Sequence, residues 1–376
     1  MILPPATVGV LGGGQLGRFF VLAAREHGYR TWVLDPDPAS PAGQVAHRHL
    51  VADYDDPAAL DELASGCAAV TTEFENVPAS ALSRLAKTTV VHPSAAAVSI
   101  CQDRVAEKTF LRERGFGTAP FAVLGSEDDL DSVPPALFPG LLKTARNGYD
   151  GRGQVPVERP DDLSAALARF GGGDAIFEQR VPLDLELSVV LARDASGEVR
   201  AFPPAENRHV HGILDTSIVP AAIDDDLRDE AVALAVDVAT ALSYVGTLAV
   251  ELFVSDGHLL VNELAPRPHN SGHSTLDGCV TDQFEQQLRA LCGLPLGDPR
   301  AHSATVMVNL LGDRWFDGDR VREPDWGALL GVANLRLHLY GKVEPRLGRK
   351  MGHFTVVARD RAAALVAASE ALDRLG

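Results

Sequence analysis

Two glutamates interrupt apolar runs in the second half of the chain and suggest metal chemistry. Glu251 lies within the apolar residues 249–253, and Glu263 follows Leu260-Val261-Asn262. A bare carboxylate in such a run costs several kcal/mol, so each needs a cation or hydrogen-bond donors. Mg²⁺ prefers oxygen ligands and is usually shared with substrate phosphates. The pair therefore indicates a magnesium site, although one carboxylate pairing with Arg267 and the other facing solvent would also explain it.

The turn between these glutamates decides whether they can share a metal. Asp256-Gly257 is a hairpin signal between two predicted strands. A two-residue loop would pair Ser255 with His258 and place the glutamates on opposite faces. We therefore expect a three-residue loop, Ser255-Asp256-Gly257, with Gly257 left-handed, which returns both carboxylates to one face.

A glycine-rich segment after Lys143 has the composition of a phosphate-binding loop. Lys143 lies on a predicted strand, and residues 147–154 contain three glycines. Backbone amides of such a loop can fold over phosphates, while the lysine adds a point charge beside them. The Walker pattern is absent. A flexible surface turn is the plainer alternative, but Tyr149, Asp150 and Arg152 within the loop favour a binding role.

Polar residues at later strand ends could complete a nucleotide site. Glu178 and Gln179 close an apolar predicted strand, where they can hydrogen-bond an adenine edge. Glu186 could accept from ribose hydroxyls, although an outward-facing strand carboxylate is the plainer explanation of that residue alone. Residues 206–209, Glu-Asn-Arg-His, are interpreted as a polar binding loop.

The most distinctive segment spans residues 263–273 and reads Glu-Leu-Ala-Pro-Arg-Pro-His-Asn-Ser-Gly-His. His269 and His273 have the i, i+4 spacing of helical zinc ligands. Pro268 and Gly272 disfavour that helix, and no H-E-x-x-H pattern is present, so we reject zinc. An irregular loop rich in Arg, His and Asn beside two acids suits an anionic intermediate.

A cationic cluster near the C-terminus contrasts with a net charge of −17. It comprises Lys342, Arg346, Arg349 and Lys350, with His338 and His353 on either side. A solvated basic face is the usual outcome for such a run. Because the chain is otherwise acidic and glycines alternate with these cations, we interpret the cluster as a phosphate pocket.

Residues 12–17, Gly-Gly-Gly-Gln-Leu-Gly, have G-x-G-x-x-G spacing between a predicted strand and helix, and Asp35 ends the next strand. Backbone amides at this turn could hold a phosphate at the helix N-terminus. The motif alone leaves dinucleotide binding and an ordinary βαβ turn open. NAD binding would leave every motif after Lys143 without a purpose, so the rest of the chain disfavours it.

The first hundred residues must position these groups on a parallel sheet, because strand and helix signals alternate there. Strands are predicted at 6–11, 31–35, 48–51, 68–72 and 88–92, and helices at 15–27, 57–63, 78–87 and 102–114. A second region has predicted strands at 140–144, 175–179 and 185–191 and a helix at 162–170. The third has helices at 226–244 and 360–375 and strands at 247–254, 258–264, 305–310 and 334–339.

Composition sets the limits on function. The 46% hydrophobic and 23% charged residues of this 376-residue chain leave little room for long disorder. A net charge of −17 disfavours nucleic-acid binding, which needs clustered cations. The four cysteines show no C-x-x-C spacing and are expected to be free thiols in a reducing compartment. No apolar run reaches ~18 residues and no signal peptide is evident, so no membrane contact and a cytoplasmic location are expected.

Four segments in order carry a family resemblance: Glu73-Phe74-Glu75-Asn76-Val77, then residues 148–154, 263–273 and 338–353. Together they resemble the ATP-grasp superfamily and, within it, the N5-carboxyaminoimidazole ribonucleotide synthetases. Ser274 departs from the family, where an aromatic often occupies that position. The resemblance implies an α/β and α+β ATP-grasp fold with an N-terminal Rossmann-like parallel-sheet domain (1–100), a connecting helix (101–117), a small lid (118–191) and a C-terminal domain (192–376).

The resemblance also implies an activity, in which ATP and bicarbonate carboxylate 5-aminoimidazole ribonucleotide through carboxyphosphate, with Mg²⁺ and without biotin, in a homodimer. The implied ATP contacts are Arg104, Lys143, Gly148, Tyr149, Asp150, Gly151, Arg152, Gly153, Gln154, Glu178, Gln179, Arg180, Val181, Glu186, His209, Asn262 and Glu263, and the implied metal ligands are Glu251 and Glu263. The implied ribonucleotide contacts are Gly14, Gln15, Leu16, Glu73, Asn76, His273, Lys342, Arg349 and Lys350. Arg267 is expected to stabilise carboxyphosphate, helped by Tyr149, Asp150 and Asn270.

Other classes explain less of the chain. A formate-using glycinamide ribonucleotide transformylase would share the fold, the metal acids and the phosphate cluster. A biotin carboxylase would show a glutamine–valine–glutamate–histidine run after Arg267, which is missing. An NAD oxidoreductase accounts only for residues 12–17 and Asp35, and a non-catalytic nucleotide-binding module would not need paired metal acids.

Overall fold

A computed structural model describes residues 1–148, 151–170, 173–318 and 320–375 of the chain. Its N-terminal unit is a parallel sheet of strand order β3-β2-β1-β4-β5. The strands are β1 (Thr7–Leu11), β2 (Arg30–Leu34), β3 (Arg48–Leu50), β4 (Ala69–Thr72) and β5 (Val90–Val91), and the helices are α1 (Gln15–Glu26), α2 (Pro57–Gly66), α3 (Ala79–Leu85) and α4 (Ala95–Cys101). The predicted parallel sheet covered by helices is therefore confirmed.

Helix α5 (Arg104–Glu113) leads out of this unit and begins two residues later than predicted. Asp103 sets its start, because the Asp103 carboxylate accepts hydrogen bonds from Val105 N and Ala106 N over 3.0 and 3.1 Å. Glu107 and Lys108 lie on its inner face and are each only 1% exposed. The helix thus buries two charged residues that their residue types alone would assign to the solvent-exposed face.

A small sheet follows with the strand order β6-β9-β7-β8, in which neighbouring strands are antiparallel. Its elements are β6 (Phe121–Leu124), β7 (Gly140–Thr144), β8 (Gln154–Val157), β9 (Ala175–Gln179) and helix α6 (Leu163–Ala168). Leu124, Leu142, Leu163 and Phe177 pack in its own core. We call this unit the lid.

A large antiparallel sheet fills the rest of the chain, with the order β15-β14-β10-β12-β13-β16-β20-β19 and β11 beside β10. Its strands are β10 (Leu185–Arg193), β11 (Val199–Ala201), β12 (Ala205–Val210), β13 (Ile213–Val219), β14 (Gly246–Ser255), β15 (His258–Ala265), β16 (Ala304–Leu311), β19 (Leu335–Leu339) and β20 (Lys350–Ala358), and a separate hairpin joins β17 (Phe316–Asp317) to β18 (Arg320–Val321). Residues 185–191 were expected within the lid, but β10 hydrogen-bonds along its whole length to β14.

Helices cover the large sheet and tie it to the N-terminal unit. They are α7 (Asp225–Ala241), α8 (Thr275–Gly278), α9 (Gln283–Cys292), α10 (Trp326–Leu330) and α11 (Arg361–Leu375). Phe284 and Leu288 of α9 pack with Phe19 and Phe20 of α1 in one shared core. Within the described part of the chain, no helix is long and apolar enough to cross a membrane.

Candidate active site

Glu251 of β14 and Glu263 of β15 are direct register partners, so both side chains stand on one face of the sheet. The expected three-residue loop is wrong, because Ser255 pairs with His258 across the two-residue turn Asp256-Gly257. A β-bulge, and not the turn, brings the two glutamates onto the same face of the sheet. Leu252 pairs with Val261, so Asn262 is an extra residue in β15 that shifts Glu263 onto the face of Glu251.

Each glutamate has a basic neighbour. His269 Nε2 lies 3.2 Å from Glu251 Oε1, and Arg104 Nη1 lies 2.9 Å from Glu263 Oε2. Burial, followed by the negative charge of Glu263, raises the pKa of Glu251 to about 7. Burial and the positive charge of Arg267 lower the pKa of His269 well below its ordinary value, so this imidazole is neutral. Arg104 thus offsets the charge of Glu263, whereas the neutral imidazole of His269 gives the carboxylate of Glu251 no full counter-charge.

These carboxylates fit a magnesium ion. Both present oxygen ligands from one sheet face, and their crowded negative charge would be relieved by a hard divalent cation. Among the described residues, no group of three or more His, Cys, Asp and Glu side chains is arranged to hold a metal ion. A two-carboxylate site therefore needs further oxygen ligands, which substrate phosphates commonly provide.

Lys143 of β7 is buried beside Glu178 of β9, and the two side chains form an ion pair. Lys108 Nζ of α5 lies 3.0 Å from the other carboxylate oxygen of Glu178. Burial acts to raise the pKa of Glu178, but the two lysines outweigh it and lower that pKa to about 2. Glu178 thus joins two cations in the interior, and its carboxylate is not left open for an adenine edge.

The glycine-rich loop is described except for Tyr149 and Asp150, whose expected roles fall outside the described residues. Gly151 and Gly153 have φ angles of +76° and +71°, which glycine adopts at little cost. A Cβ added to Gly212, at the turn between β12 and β13, would lie 2.7 Å from Gly151 Cα. The loop thus abuts the large sheet.

The remaining expected ATP contacts are spread around this loop. Arg104 Nη2 donates to Gly148 O over 3.4 Å, so α5 reaches both the loop and Glu263. Glu186 and His209 form a hydrogen-bonded pair on neighbouring strands β10 and β12. The interpretation of residues 206–209 as a loop is wrong, because they lie within β12.

Two residues at the lid edge are engaged elsewhere. Gln179 Nε2 donates to Ala136 O over 3.0 Å, and exposed Arg180 lies 3.9 Å from Glu158. Val181 is the second residue after the end of β9 at Gln179. The backbone amides of Gln179 and Arg180 also donate within the protein, to Pro120 O and Pro139 O over 2.8 and 2.9 Å. Their contact with ATP stays a prediction.

Arg267, expected to stabilise an anionic intermediate, reaches across to the N-terminal unit. Its Nε donates to Glu75 Oε2 over 2.5 Å. Burial acts to raise the pKa of Glu75, and the charge of Arg267 outweighs it, so that the pKa is lowered. The ion pair places the guanidinium between the two units.

Asn270 and His273 are both buried against other residues of the chain. Asn270 is 6% exposed and exchanges two hydrogen bonds with Asn309, of 3.1 and 2.9 Å. His273 is fully buried, its ring centroid 4.7 Å from that of His353 and 5.6 Å from that of Phe19. Both side chains thus support the loop through contacts within the protein, and the catalytic role of Asn270 and the substrate contact of His273 stay predictions.

The glycine-rich turn of the N-terminal unit is filled by the protein itself. Gly13 N donates to Asp35 Oδ2 over 2.6 Å, while Gly14 N and Gly17 N donate to the two carboxylate oxygens of Glu73 over 2.7 and 2.8 Å. The expectation that these amides hold a phosphate is wrong, because carboxylates already occupy them. Leu16 is buried in the core, and Gln15 begins α1.

The basic cluster lies against the N-terminal unit. Lys342 Nζ donates to Lys350 O over 2.7 Å, and Gln44 Nε2 donates to Gly341 O over 3.1 Å. Arg349 Nη1 donates to the backbone oxygen of Glu344 over 2.7 Å. The positive charge of Lys342 acts to lower the pKa of Glu73, and that of Lys350 acts to lower the pKa of Glu75. The cluster therefore faces the acidic edge of the N-terminal unit.

A polar cavity lies where these groups converge. It is lined by Glu75, Asn76, Cys101, Gln102, Arg104, Glu107, Ala145, Asn147, Gly148 and Glu263. No individual role had been expected for Glu75, Glu107, Lys108 or His269. Glu107 and Lys108 follow Arg104 at i+3 and i+4, a spacing that places all three on one helix face and could have drawn attention to them.

Comparison with known proteins defines the class. The chain matches models of a ribonucleotide synthetase preATP-grasp domain over residues 5–102, an ATP-grasp domain over 109–284, and a phosphoribosylaminoimidazole carboxylase C-terminal domain over 305–366. With a parallel-sheet unit, a lysine-bearing lid sheet and a large antiparallel sheet that carries paired carboxylates, the fold and site are those of an ATP-grasp protein.

Its relatives narrow the class to a family. The chain is 49% identical over 356 residues to the N5-carboxyaminoimidazole ribonucleotide synthase of Brucella melitensis, a match that covers 94% of this chain and 96% of that protein. The Thermus thermophilus synthetase structure is 41% identical, with a TM-score of 0.88 and 98% coverage of each chain. The Aspergillus clavatus synthase, solved with ADP and 5-aminoimidazole ribonucleotide, is 30% identical, with a TM-score of 0.89 and 98% coverage of each chain. The chain belongs to the N5-carboxyaminoimidazole ribonucleotide synthase family, ATP-grasp ligases of purine biosynthesis.

Proposed function

We propose that this chain uses ATP and bicarbonate to convert 5-aminoimidazole ribonucleotide to N5-carboxyaminoimidazole ribonucleotide, with release of ADP and phosphate. The observation that carries the proposal is the polar cavity. It joins Glu75 and Asn76 of the N-terminal unit to Arg104, Gly148 and Glu263 of the expected ATP site. Two substrates bound on either side would meet there, as a reaction between a nucleotide and a ribonucleotide requires.

The proposed ATP site lies between the lid and the large sheet. Lys143 supplies a buried cation, residues 148–154 supply backbone amides, and Arg104 links the loop to Glu263. Such groups can neutralise charge on the transferred phosphoryl group without a covalent nucleophile. Glu251 and Glu263 would hold Mg²⁺, which supplies further neutralisation of the phosphate oxygens when bound.

The chemistry divides into two transfers. A bicarbonate oxygen attacks the γ-phosphorus of ATP, the bond to the ADP oxygen breaks, and carboxyphosphate forms. The exocyclic amine then attacks the carboxyl carbon of carboxyphosphate, or CO₂ released from it; phosphate leaves and the amine loses a proton. Arg267 would stabilise the anionic intermediate, and the position of its guanidinium between the units beside Glu75 supports this role.

The proposed ribonucleotide site lies between the basic cluster and the N-terminal unit. Lys342, Arg349 and Lys350 would bind the 5′-phosphate, and Asn76 and the backbone of Gln15 would contact the remainder of the substrate. The proposed division of the chain gives 1–100 to this substrate unit, 101–117 to the connecting segment, 118–184 to the lid and the rest to the C-terminal domain. The proposed end of the lid at residue 184, in place of the expected 191, is supported by the pairing of β10 with β14 of the large sheet.

Release of ADP, measured with each substrate omitted in turn, tests the proposal. We expect ADP only when bicarbonate and 5-aminoimidazole ribonucleotide are both present above a low background. If ADP release needed formate and glycinamide ribonucleotide instead, the chain would catalyse the transformylase reaction and the proposal would be wrong. We also propose a cytoplasmic homodimer, as the family resemblance implies, and light scattering at twice the mass of the 40.0 kDa chain would support the dimer.

A further inference from the structure

Lys108 is a buried cation for which the proposed reaction has no role. Its side chain is 1% exposed, and its ammonium lies 3.0 Å from Glu178 Oε1. The same ammonium donates to Val261 O of β15 over 3.3 Å. Helix α5 and strand β15 thereby fix Lys108 in place, whereas Lys143 extends from the lid strand β7 to the opposite oxygen of Glu178.

The arrangement places two cations on one buried anion. The Glu178 side chain is 4% exposed, and both lysines are at most 10% exposed. Two lysines thus share the single carboxylate of Glu178, and the buried carboxyl of Glu107 also interacts with Lys108. An anion that reaches Lys143 would add negative charge where two cations share one carboxylate.

Nucleotide binding through Lys143 requires an exchange of partners. Lys143 is paired with Glu178 in this structure, and a phosphate would compete for the same ammonium. If Glu178 had no other cation, transfer of Lys143 to a phosphate would leave a buried carboxylate unpaired, which opposes binding. Lys108 can remain on Glu178 throughout, because its other contact is with backbone of β15.

We propose that Lys108 is a positioning residue, which keeps Glu178 neutralised and so frees Lys143 to bind nucleotide phosphate. The proposal rests on the proposed ATP site. It also gives Glu178 a role as the shared counter-ion of two lysines, independent of any contact with adenine. Lys108 itself touches neither ATP nor the reacting atoms.

Replacing Lys108 with methionine tests the role while nearly preserving side-chain volume. Lys108→Met should raise the KM for ATP about tenfold or more, because Glu178 then retains Lys143. The KM for the ribonucleotide should stay within about twofold, since that site is separate. Lys87→Met, at an exposed lysine of the N-terminal unit, is the matched control and should change neither value. An unchanged KM for ATP in folded Lys108→Met would overturn the proposal.

A second background separates this role from simple loss of packing. In Glu178→Gln no carboxylate competes for Lys143, so adding Lys108→Met should change the ATP dissociation constant by less than about twofold. Equal weakening in both backgrounds would show that Lys108 acts independently of Glu178 and would refute the proposal. The double variant contains no unpaired buried charge from this pair. Where Lys108→Met alone fails to fold, the double variant is compared with Glu178→Gln alone, and a tenfold weaker ATP affinity in the double variant would refute the proposal.

Failure of the proposed function would look different. In that case the unaltered protein would show no saturable ATP binding by calorimetry and no bicarbonate-dependent ADP release. Failure of this inference instead leaves ATP binding intact in the unaltered protein, with an affinity that does not depend on the coupling of Lys108 to Glu178.

Discussion

Glu251 and Glu263 face one another across β14 and β15 because Asn262 is inserted into β15 as a bulge. The Asn262 Nδ2 atom lies 3.4 Å from Glu251 Oε2, so the inserted residue also supplies a donor to one of the carboxylates it aligns. Two like charges are thereby held together in the metal-free protein, which has a measurable consequence for stability.

Glu251→Gln should stabilise the metal-free protein at alkaline pH. The pKa of Glu251 is raised to about 7 in the fold, so its contribution to stability is present below the ordinary carboxyl pKa and is lost as pH rises through about 7. By linkage this amounts to at most roughly 3 kcal/mol. Urea unfolding with EDTA should show the variant gaining on the unaltered protein between pH 4.5 and 8.

The same variant should bind Mg²⁺ less well, because it removes one of two carboxylate ligands. We expect the Mg²⁺ concentration at half-maximal rate to rise about tenfold or more. Glu198→Gln, at an exposed glutamate paired with Arg200, serves as the control for both measurements. If Glu251→Gln destabilises the metal-free protein at pH 8, the repulsion between the glutamates has been misjudged.

Arg349→Ala should raise the KM for the ribonucleotide and leave the KM for ATP nearly unchanged. Loss of a charge-assisted hydrogen bond to phosphate costs about 1.5–3 kcal/mol, or roughly ten- to a hundredfold in affinity. Arg359→Ala is the control, because Arg359 lies outside the cluster, is 88% exposed and pairs with Asp360. Lys143→Ala should give the converse result and weaken ATP. Steady-state kinetics in which Arg349→Ala affects ATP alone would reverse the assignment of the two sites.

NADH should not bind, although residues 12–17 match a dinucleotide motif. The amides of Gly13, Gly14 and Gly17 that would receive a pyrophosphate already donate to Asp35 and Glu73. A second anion would therefore meet the negative charge of two carboxylates at this turn. A fluorescence titration should give no saturable change, and saturable binding displaced by NAD would contradict this account.

Hydrogen exchange of residues 148–154 should slow when an ATP analogue and Mg²⁺ are added. The glycines permit many backbone conformations, and bound phosphate would supply contacts that select one of them. The exposed turn at residues 194–198 provides an internal reference, since no substrate is expected there. Identical exchange of residues 148–154 with and without saturating ligand would count against their role as the phosphate loop.

Several elements could be predicted because their sequence pattern agrees with their environment. The alternation of strand and helix signals in the N-terminal unit predicted a parallel sheet, which the structure contains. The apolar stripe at 226–244 predicted α7, which is found at Asp225–Ala241. The paired acids indicated a shared site, and their alignment is found, although the expected loop is not its cause.

Other elements were missed because their buried residues are polar. Strand β12 was interpreted as a loop, since buried Asn207 carries no apolar signal; it is satisfied by Ser188 and Ser217 through hydrogen bonds of 2.9 and 2.7 Å. Helix α9 buries Gln283 and Gln287, both at most 1% exposed. Local hydropathy cannot identify such residues as interior, because their partners lie far away in sequence.

The partners of several site residues could not be predicted, because they lie in distant segments of the chain. Arg267 pairs with Glu75, 192 residues away, and Lys108 donates to Val261 across 153 residues. Single motifs suggest what a side chain can bind. Which charged partner a side chain contacts depends on tertiary packing, here on the packing of α5 against β15.

The filled glycine turn has a consequence for redesign. Glu73 closes two amides at once, and a Cβ added to Gly14 would lie only 2.5 Å from Glu73 Oε1. Removing the Glu73 carboxylate alone would leave the Gly14 and Gly17 amides without an acceptor. Removing Asp35 would leave the Gly13 amide and the Tyr54 hydroxyl without one. An engineer who wants a nicotinamide cofactor on this scaffold must therefore replace both acids together and supply an anion in the same step. Stepwise evolution toward such a cofactor would pass through less stable proteins.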